Sequence, residues 1–238
     1  MVRLRNFPEE ELFRQGSAAC QGCPDSAALR VAFKALGRNT VMGIVASCTC
    51  VLQSPFPASA LGIPTINMAF ASGGAVTSGM TAAAERLVAR GVLKEKPTVM
   101  LWAGDGGTYD IGIQAISGAA ERDADILFVC YNNEVYSNTG TQRSGATPYA
   151  AWTTNTTRGK SEWRKDMPQI MVAHGIPYVA TASLAYPTDM YRKFAKAKEI
   201  KGSRYIEIQA PCPPGWKFPS GHTIKMARLA VQSGVWML

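Results

Sequence analysis

Two small groups of side chains carry the chemistry this sequence offers. The first joins Gly104-Asp105-Gly106-Gly107 to Asn132-Asn133, each closing an apolar run, 99–103 and 126–131 respectively. A carboxylate and a carboxamide are hard oxygen donors of the kind Mg2+ takes, and glycines beside the aspartate let the backbone come close to a ligand. The 28 positions from Asp105 to Asn133 are the length of one strand-to-strand crossover with its helix. Open parallel sheets bind ligands beyond the carboxyl ends of their strands. The spacing therefore predicts both side chains at one rim, where a divalent cation would hold a phosphorylated cofactor.

The second group is cysteine. Cys20 and Cys23 form a CxxC pair, Cys48 follows 25 residues on, and Cys212 sits in the proline-rich run Pro211-Cys212-Pro213-Pro214. A CxxC pair serves zinc, a redox disulfide or an iron-sulfur cluster, and four thiolates from separate loops suit zinc or a cluster. Cys130 lies inside an apolar run and reads as core, and Cys50 stands two residues beyond Cys48 as a substitute if that loop is shifted. His174 and His222 fall in no motif and read as packing or surface residues.

Positioning these groups requires alternating strands and helices. Residues 1–19 read as an arm and a short helix. A helix capped by Asp25 or Ser26 runs to Leu36 and stops at Gly37. Strands are predicted near 41, 98, 126, 178 and 204, with helices at 73–90, 167–174, 188–200 and 223–233 between or after them. Pro55-Phe56-Pro57 and Gly62-Ile63-Pro64 make 54–65 an irregular loop. The polar stretch 141–166 has no periodic pattern, and its length marks it as a functional loop. The result is an α/β protein with a doubly wound, mostly parallel sheet, read as one domain over 1–238.

Composition narrows the function. The 238 residues are 47% hydrophobic and 18% charged, values of a globular chain, and the net charge is +8. Lys and Arg are scattered without a basic stripe interleaved with aromatics, so an anionic cofactor or substrate is expected rather than nucleic acid. No apolar run reaches the ~20 residues of a membrane span, and the start lacks a signal-peptide core. A cytoplasmic protein is expected, and in that reducing compartment cysteines serve as ligands or core rather than as disulfides.

The spacing of Gly-Asp-Gly and Asn-Asn resembles the thiamine-diphosphate motif. More extensively, residues 104–114 (Gly-Asp-Gly-Gly-Thr-Tyr-Asp-Ile-Gly-Ile-Gln) and 133–148 (Asn-Glu-Val-Tyr-Ser-Asn-Thr-Gly-Thr-Gln-Arg-Ser-Gly-Ala-Thr-Pro) resemble the β subunit of 2-oxoacid:ferredoxin oxidoreductases of the pyruvate synthase group. The likeness runs from Cys20 to Leu238. It implies a thiamine-diphosphate-binding fold and an enzyme that oxidatively cleaves a 2-oxoacid, passes electrons singly through [4Fe-4S] clusters to ferredoxin, and commonly transfers the acyl group to coenzyme A. By this resemblance Asp105, Asn133 and the Val135 carbonyl would bind Mg2+. Gly104, Gly106, Gly107, Thr108, Tyr109, Tyr136 and Thr139 would contact the cofactor, and Asn138 would act beside the reacting carbon. Cys20, Cys23, Cys48 and Cys212 would hold a [4Fe-4S] cluster. The family's activating glutamate, its substrate-binding arginines and further clusters come from other subunits, which makes this chain half of an active site.

Three departures accompany the likeness, the first being Ala46-Ser47 where Thr-Gly is usual before the third cysteine. Pro24 stands where glycine is usual after the CxxC pair, and Ala71-Ser72 stand where Glu-Asn follows Ala-Phe. Loss of that acidic residue favours a more negatively charged substrate and brings in the family's oxalate-cleaving branch beside pyruvate. The alternative from another class is a thiamine-diphosphate decarboxylase-like subunit without a cluster.

Overall fold

The computed structural model describes residues 4–55 and 57–238. Met1–Arg3 of the anticipated arm and Phe56 of the proline-rich loop lie outside the described residues.

The core alternates with period two along the central strand β3 (Thr98–Gly104). Met100 and Trp102 point to one side, Val99, Leu101 and Ala103 to the other, and all five are fully buried. A strand apolar on both faces must be covered on both faces. On the Trp102 side lie α1 (Pro24–Leu36) and α6 (Pro187–Glu199), supplying Leu29, Phe33 and Phe194. On the Leu101 side α4 (Ile113–Glu121) and α5 (Met167–Ala173) supply Ile116, Met167 and Met171, with Met80 of α3 (Gly73–Ala89) packed against them. Each such side chain contributes roughly 1.5–3 kcal/mol on burial.

With β1 (Thr40–Val45), β2 (Thr65–Met68), β4 (Leu127–Asn132), β7 (Tyr178–Ser183) and β8 (Arg204–Gln209), the strand order is β2-β1-β3-β4-β8-β7, and every pairing is parallel. The doubly wound sheet is as the sequence predicts, with one strand more. β2 is a four-residue edge strand whose central Ile66 and Asn67 are exposed, so it lacks the apolar run that reveals the buried strands. A two-stranded ribbon, β5 (Val135–Tyr136) with β6 (Gln142–Arg143), a short α2 (Cys48–Leu52) and a one-turn α7 (Pro213–Trp216) were likewise not expected; α8 (Thr223–Gln232) was.

The N-terminal expectation is corrected. Among the described residues only one 3-10 turn, Leu4–Asn6, forms before α1. The Pro8 and Glu10 carbonyls accept from Lys34 Nζ at 2.9 and 3.1 Å, and Glu11 pairs with Arg30 at 2.8 Å, so groups a helix would use are bound to α1 instead. Cys23 occupies the cap position of α1, and Asp25 turns inward. Gly37 does stop the helix, at φ +77°. Among the described residues no helix is long and apolar enough to cross a membrane.

Candidate functional site

The chain runs outward from β1 to β2 and then returns past β1 to β3, so the strand order reverses between β1 and β3. Such a reversal opens a crevice beyond the strand ends. There a pocket of about 210 Å³ is lined by Ala46, Ser47 and Cys48 after β1, by Gly104–Gly107 after β3, by Asn133, Val135, Tyr136, Asn138 and Thr139 after β4, and by Tyr131 and Phe70. Asp105 and Asn133 come together because β3 and β4 pair in register, Gly104 opposite Tyr131.

Asp105 is buried, and that burial pushes its carboxyl up to about 7, against hydrogen bonds from the Ser144 hydroxyl and from the backbone amides of Asp105 and Asn133. A buried carboxylate held this way is restored to its charged form by a cation. Asn133 Oδ1 accepts from Val135 N at 3.3 Å, and Asn133 Nδ2 donates to Ser137 Oγ at 3.1 Å. The Val135 carbonyl accepts from Ser137 N at 3.0 Å and keeps its second lone pair. The turn between them is strained, with Glu134 at φ +66°. A carboxylate, a carboxamide and a backbone carbonyl form a donor set that fits Mg2+.

The glycines shape the cradle. A Cβ on Gly106 would stand 2.2 Å from the Tyr136 ring, and one on Gly107 would stand 2.8 Å from Val45 Cγ2. Bare backbone at both positions leaves room for a phosphate group. Thr108 and Tyr109 come next in the chain. Gly106–Asp110 winds as one wide π-helical turn, which buries both side chains away from the pocket. Thr108 donates to the Gly104 carbonyl at 3.0 Å, and Tyr109 donates to Glu207 Oε1 at 2.5 Å. Only their backbone is left for a ligand.

The cysteines gather next door. A smaller cavity, about 70 Å³, is lined by Cys20, Cys23, Cys48 and Cys212 between walls that include Ala18, Leu52 and Pro213. Cys50 instead donates to the Val45 carbonyl at 3.2 Å, and Cys130 is buried and accepts from Thr108 Oγ1. Burial pushes the Cys23 thiol up to about 12 and the Cys48 thiol up to about 11. Asp25 crosses behind this cavity, accepting from Thr49 Oγ1 and Trp102 Nε1, each at 2.8 Å. The two pockets share Cys48, Tyr131, Asn133 and Asn138. Among the described residues no three His, Cys, Asp or Glu side chains stand close enough to ligate one metal ion.

Comparison with known proteins agrees with this geometry. Residues 54–208 match the family described as thiamine pyrophosphate enzyme, C-terminal TPP binding domain. The chain is 48% identical to ketoisovalerate oxidoreductase subunit VorB of Pyrococcus abyssi, over 99% of this chain and 78% of the relative. It is 47% identical to pyruvate synthase subunit PorB of Methanothermobacter thermautotrophicus, over 98% and 81%. The chain belongs to this family of thiamine-pyrophosphate-binding oxidoreductase subunits. A solved 2-oxoglutarate:ferredoxin oxidoreductase from Magnetococcus marinus shares the fold, with a TM-score of 0.72 at 20% identity over 94% of this chain and 82% of that one.

In this family member, sequence reasoning passes over several residues that hold the pocket in shape. Asn132 Nδ2 donates to Glu207 Oε1 at 2.7 Å, while its Oδ1 accepts from Glu134 N at 2.9 Å, which ties the 133–135 turn to the sheet. Tyr205 also donates to Glu207, at 2.8 Å. Trp216 Nε1 donates to the Asn133 carbonyl at 2.7 Å. One signal was available: a glutamate in the middle of a six-residue buried strand requires such partners. The two histidines are structural. His174 bonds Ser117 and Ile170, both at 2.8 Å, and His222 occupies the cap position of α8.

Proposed function

We propose that this chain, acting as one thiamine-diphosphate-binding domain, is the β subunit of a 2-oxoacid:ferredoxin oxidoreductase that cleaves a small apolar 2-oxoacid to CO2. The observation that carries the reading is the wall of four residues common to the two pockets. In this reading Asp105, Asn133 and the Val135 carbonyl hold Mg2+ and through it the diphosphate, over the bare backbone of Gly104, Gly106 and Gly107. Cys20, Cys23, Cys48 and Cys212 hold a [4Fe-4S] cluster. When bound, thiamine diphosphate supplies electrons from the carbon losing CO2, and a cluster accepts them one at a time. Asn138 lines both pockets, where a carboxamide can hydrogen-bond at the reacting carbon; Phe70 and Tyr136, edge to face at 6.1 Å, add an aromatic part to the lining of the larger pocket.

Ferredoxin is the proposed acceptor and coenzyme A the acyl acceptor. The relatives' names call them subunits, and partner subunits are proposed here to supply the activating glutamate, the substrate arginines and further clusters. The most similar relatives include both pyruvate synthase and ketoisovalerate oxidoreductase subunits, and the 2-oxoacid reading is favoured over oxalate. Ala71 and Ser72, the departures that suggested oxalate, do not line the pocket.

The test is the visible and spin-resonance spectrum of the anaerobically purified complex, with iron and sulfide analysis, before and after pyruvate, ketoisovalerate or oxalate with coenzyme A. Iron-sulfur absorption bleached by a 2-oxoacid is expected. Bleaching by oxalate alone would move the substrate to oxalate, and a colourless, iron-free complex would make the chain a cluster-free decarboxylase-like subunit.

A further inference from the structure

Lys160 is buried to 2% exposure within the long polar loop, a rare place for a lysine. Its ammonium donates to three backbone carbonyls, Thr147 at 2.7 Å, Ser144 at 3.2 Å and Gly145 at 3.5 Å. An ammonium has three protons, so every donor is used. No carboxylate among the described residues forms an ion pair with it; its direct partners are carbonyl dipoles. Its backbone is pinned as well. Lys160 N donates to the Ala151 carbonyl at 3.0 Å, and Ala150 N donates to the Lys160 carbonyl at 2.8 Å. Gly159 before it adopts φ +91°, and a Cβ there would stand 2.8 Å from the Ala150 carbonyl oxygen.

The carbonyls that Lys160 gathers belong to a turn whose two hydroxyls reach the candidate metal ligands. Ser144 Oγ donates to Asp105 Oδ2, and Thr147 Oγ1 donates to the Glu134 carbonyl, between Asn133 and Val135. The two hydroxyl residues are joined to each other, Ser144 N donating to Thr147 Oγ1 at 2.9 Å. Gly145 N donates to Asp110 Oδ2 at 2.9 Å, which fixes the turn to the end of the π-helical segment. One hydroxyl therefore holds the carboxylate that follows β3. The other holds the strained peptide that follows β4.

We propose that Lys160 is a built-in cation that sets the affinity of this site for its divalent metal, by locking the Ser144–Thr147 turn onto both ligand segments. It is a positioning residue, since it acts through the turn and touches neither metal ligand. A lysine that merely closed the loop would affect stability alone. This one should alter metal binding even where the fold survives, because loosening the turn releases Asp105 and the Glu134 peptide together. The inference rests on the Mg2+-diphosphate reading of the site.

The test uses the purified complex dialysed free of Mg2+ and thiamine diphosphate, with Mg2+ titrated back at saturating thiamine diphosphate and followed by calorimetry. Lys160→Met should weaken Mg2+ binding by about tenfold or more, the range found when groups behind metal ligands are removed. Iron content and visible absorption should stay unchanged. Lys160→Arg, which also donates to carbonyls, should recover most of the affinity. Ser144→Ala should weaken binding by itself, and the double variant Ser144→Ala/Lys160→Met should be no weaker than the worse single variant, because both act through one turn. If Lys160→Met does not assemble, Ser144→Ala and Thr147→Val carry the test, each expected to weaken Mg2+ binding. Unchanged Mg2+ affinity in an assembled Lys160→Met complex, independent multiplying effects in the double variant, or full affinity in both hydroxyl variants would overturn the proposal. A wild-type complex that binds thiamine diphosphate without any need for Mg2+ would instead overturn the underlying reading of the site.

Discussion

The two halves of the rim are built on opposite principles. At the oxygen-rich half every ligand-bearing segment is held from behind by hydrogen bonds: Asp105 by Ser144, the Glu134 peptide by Thr147 and Asn132, and the Asn133 carbonyl by Trp216. At the thiol half the four cysteines come from three segments of the chain and carry few such bonds. Cys48 Sγ lies 3.5 Å from Ser137 Oγ, and the CxxC turn closes through Cys23 N and the Cys20 carbonyl at 3.1 Å. Asp25 is the one buried tie between those loops, joining the start of α1 to Thr49 of α2 and to Trp102 of β3. Oxygen donors are themselves strong hydrogen-bonding groups, so a sheet end can orient them before a metal arrives. Thiols bond weakly, and a metal centre that replaces their protons completes their arrangement. Under the proposed reading, the difference teaches that one half is preorganised and the other would be finished by the cluster it holds.

Asp105→Ala is the most severe way to break this contrast. It removes the carboxylate of the proposed ligand set and should weaken Mg2+-dependent thiamine diphosphate binding by at least about 100-fold. Iron-sulfur absorption should persist, and its loss would show that the halves are not independent. Cys212→Ala probes the other side. Iron and sulfide content should fall with the visible absorption, while Mg2+-thiamine diphosphate affinity stays within about twofold, as for separate sites. Asn138→Ala acts where the halves meet: turnover should drop on the order of 100-fold with cofactor affinity and iron content both retained. A fall in affinity instead would make Asn138 a binding group.

The smallest effect sharpens the preorganised side. Burial holds the Glu207 carboxyl above its ordinary 4.5, against hydrogen bonds from Tyr109, Asn132 and Tyr205. A carboxyl raised in the folded chain gives stability that is complete below pH 4.5 and is lost as pH rises through its folded value. Glu207→Gln should reduce that decline, by about 1 kcal/mol in urea melts compared at pH 5 and pH 8 without cofactors. Equal slopes for variant and wild type would remove Glu207 as the titrating group.

Much of this was legible in the chain. The apolar runs at 99–103 and 126–131 reported two buried strands because a strand covered on both faces must be apolar throughout, and Gly37 reported a helix end because it accepts positive φ. β2 escaped notice as a short exposed edge, and the arm before α1 was misread because Lys34 and Arg30 capture its carbonyl and carboxylate groups from 19 or more residues away. The stretch 141–166 stood out for its lack of periodicity, but the burial of Lys160 within it left no mark in the chain.

By itself the sequence determined the kinds of ligand and the elements that carry them: oxygen donors after two parallel strands, thiols on loops, and glycines where backbone must lie bare. Composition and local spacing decide those features, which need no knowledge of distant neighbours. Only the tertiary structure decided that Cys48 and not Cys50 faces the cavity, that Thr108 and Tyr109 turn away from the pocket, and that Asp25 ties loops rather than capping a helix. It alone placed Lys160 beneath the Ser144–Thr147 turn. These outcomes depend on which buried polar groups find partners across the fold, and pairing between segments many residues apart leaves no periodic mark in the chain.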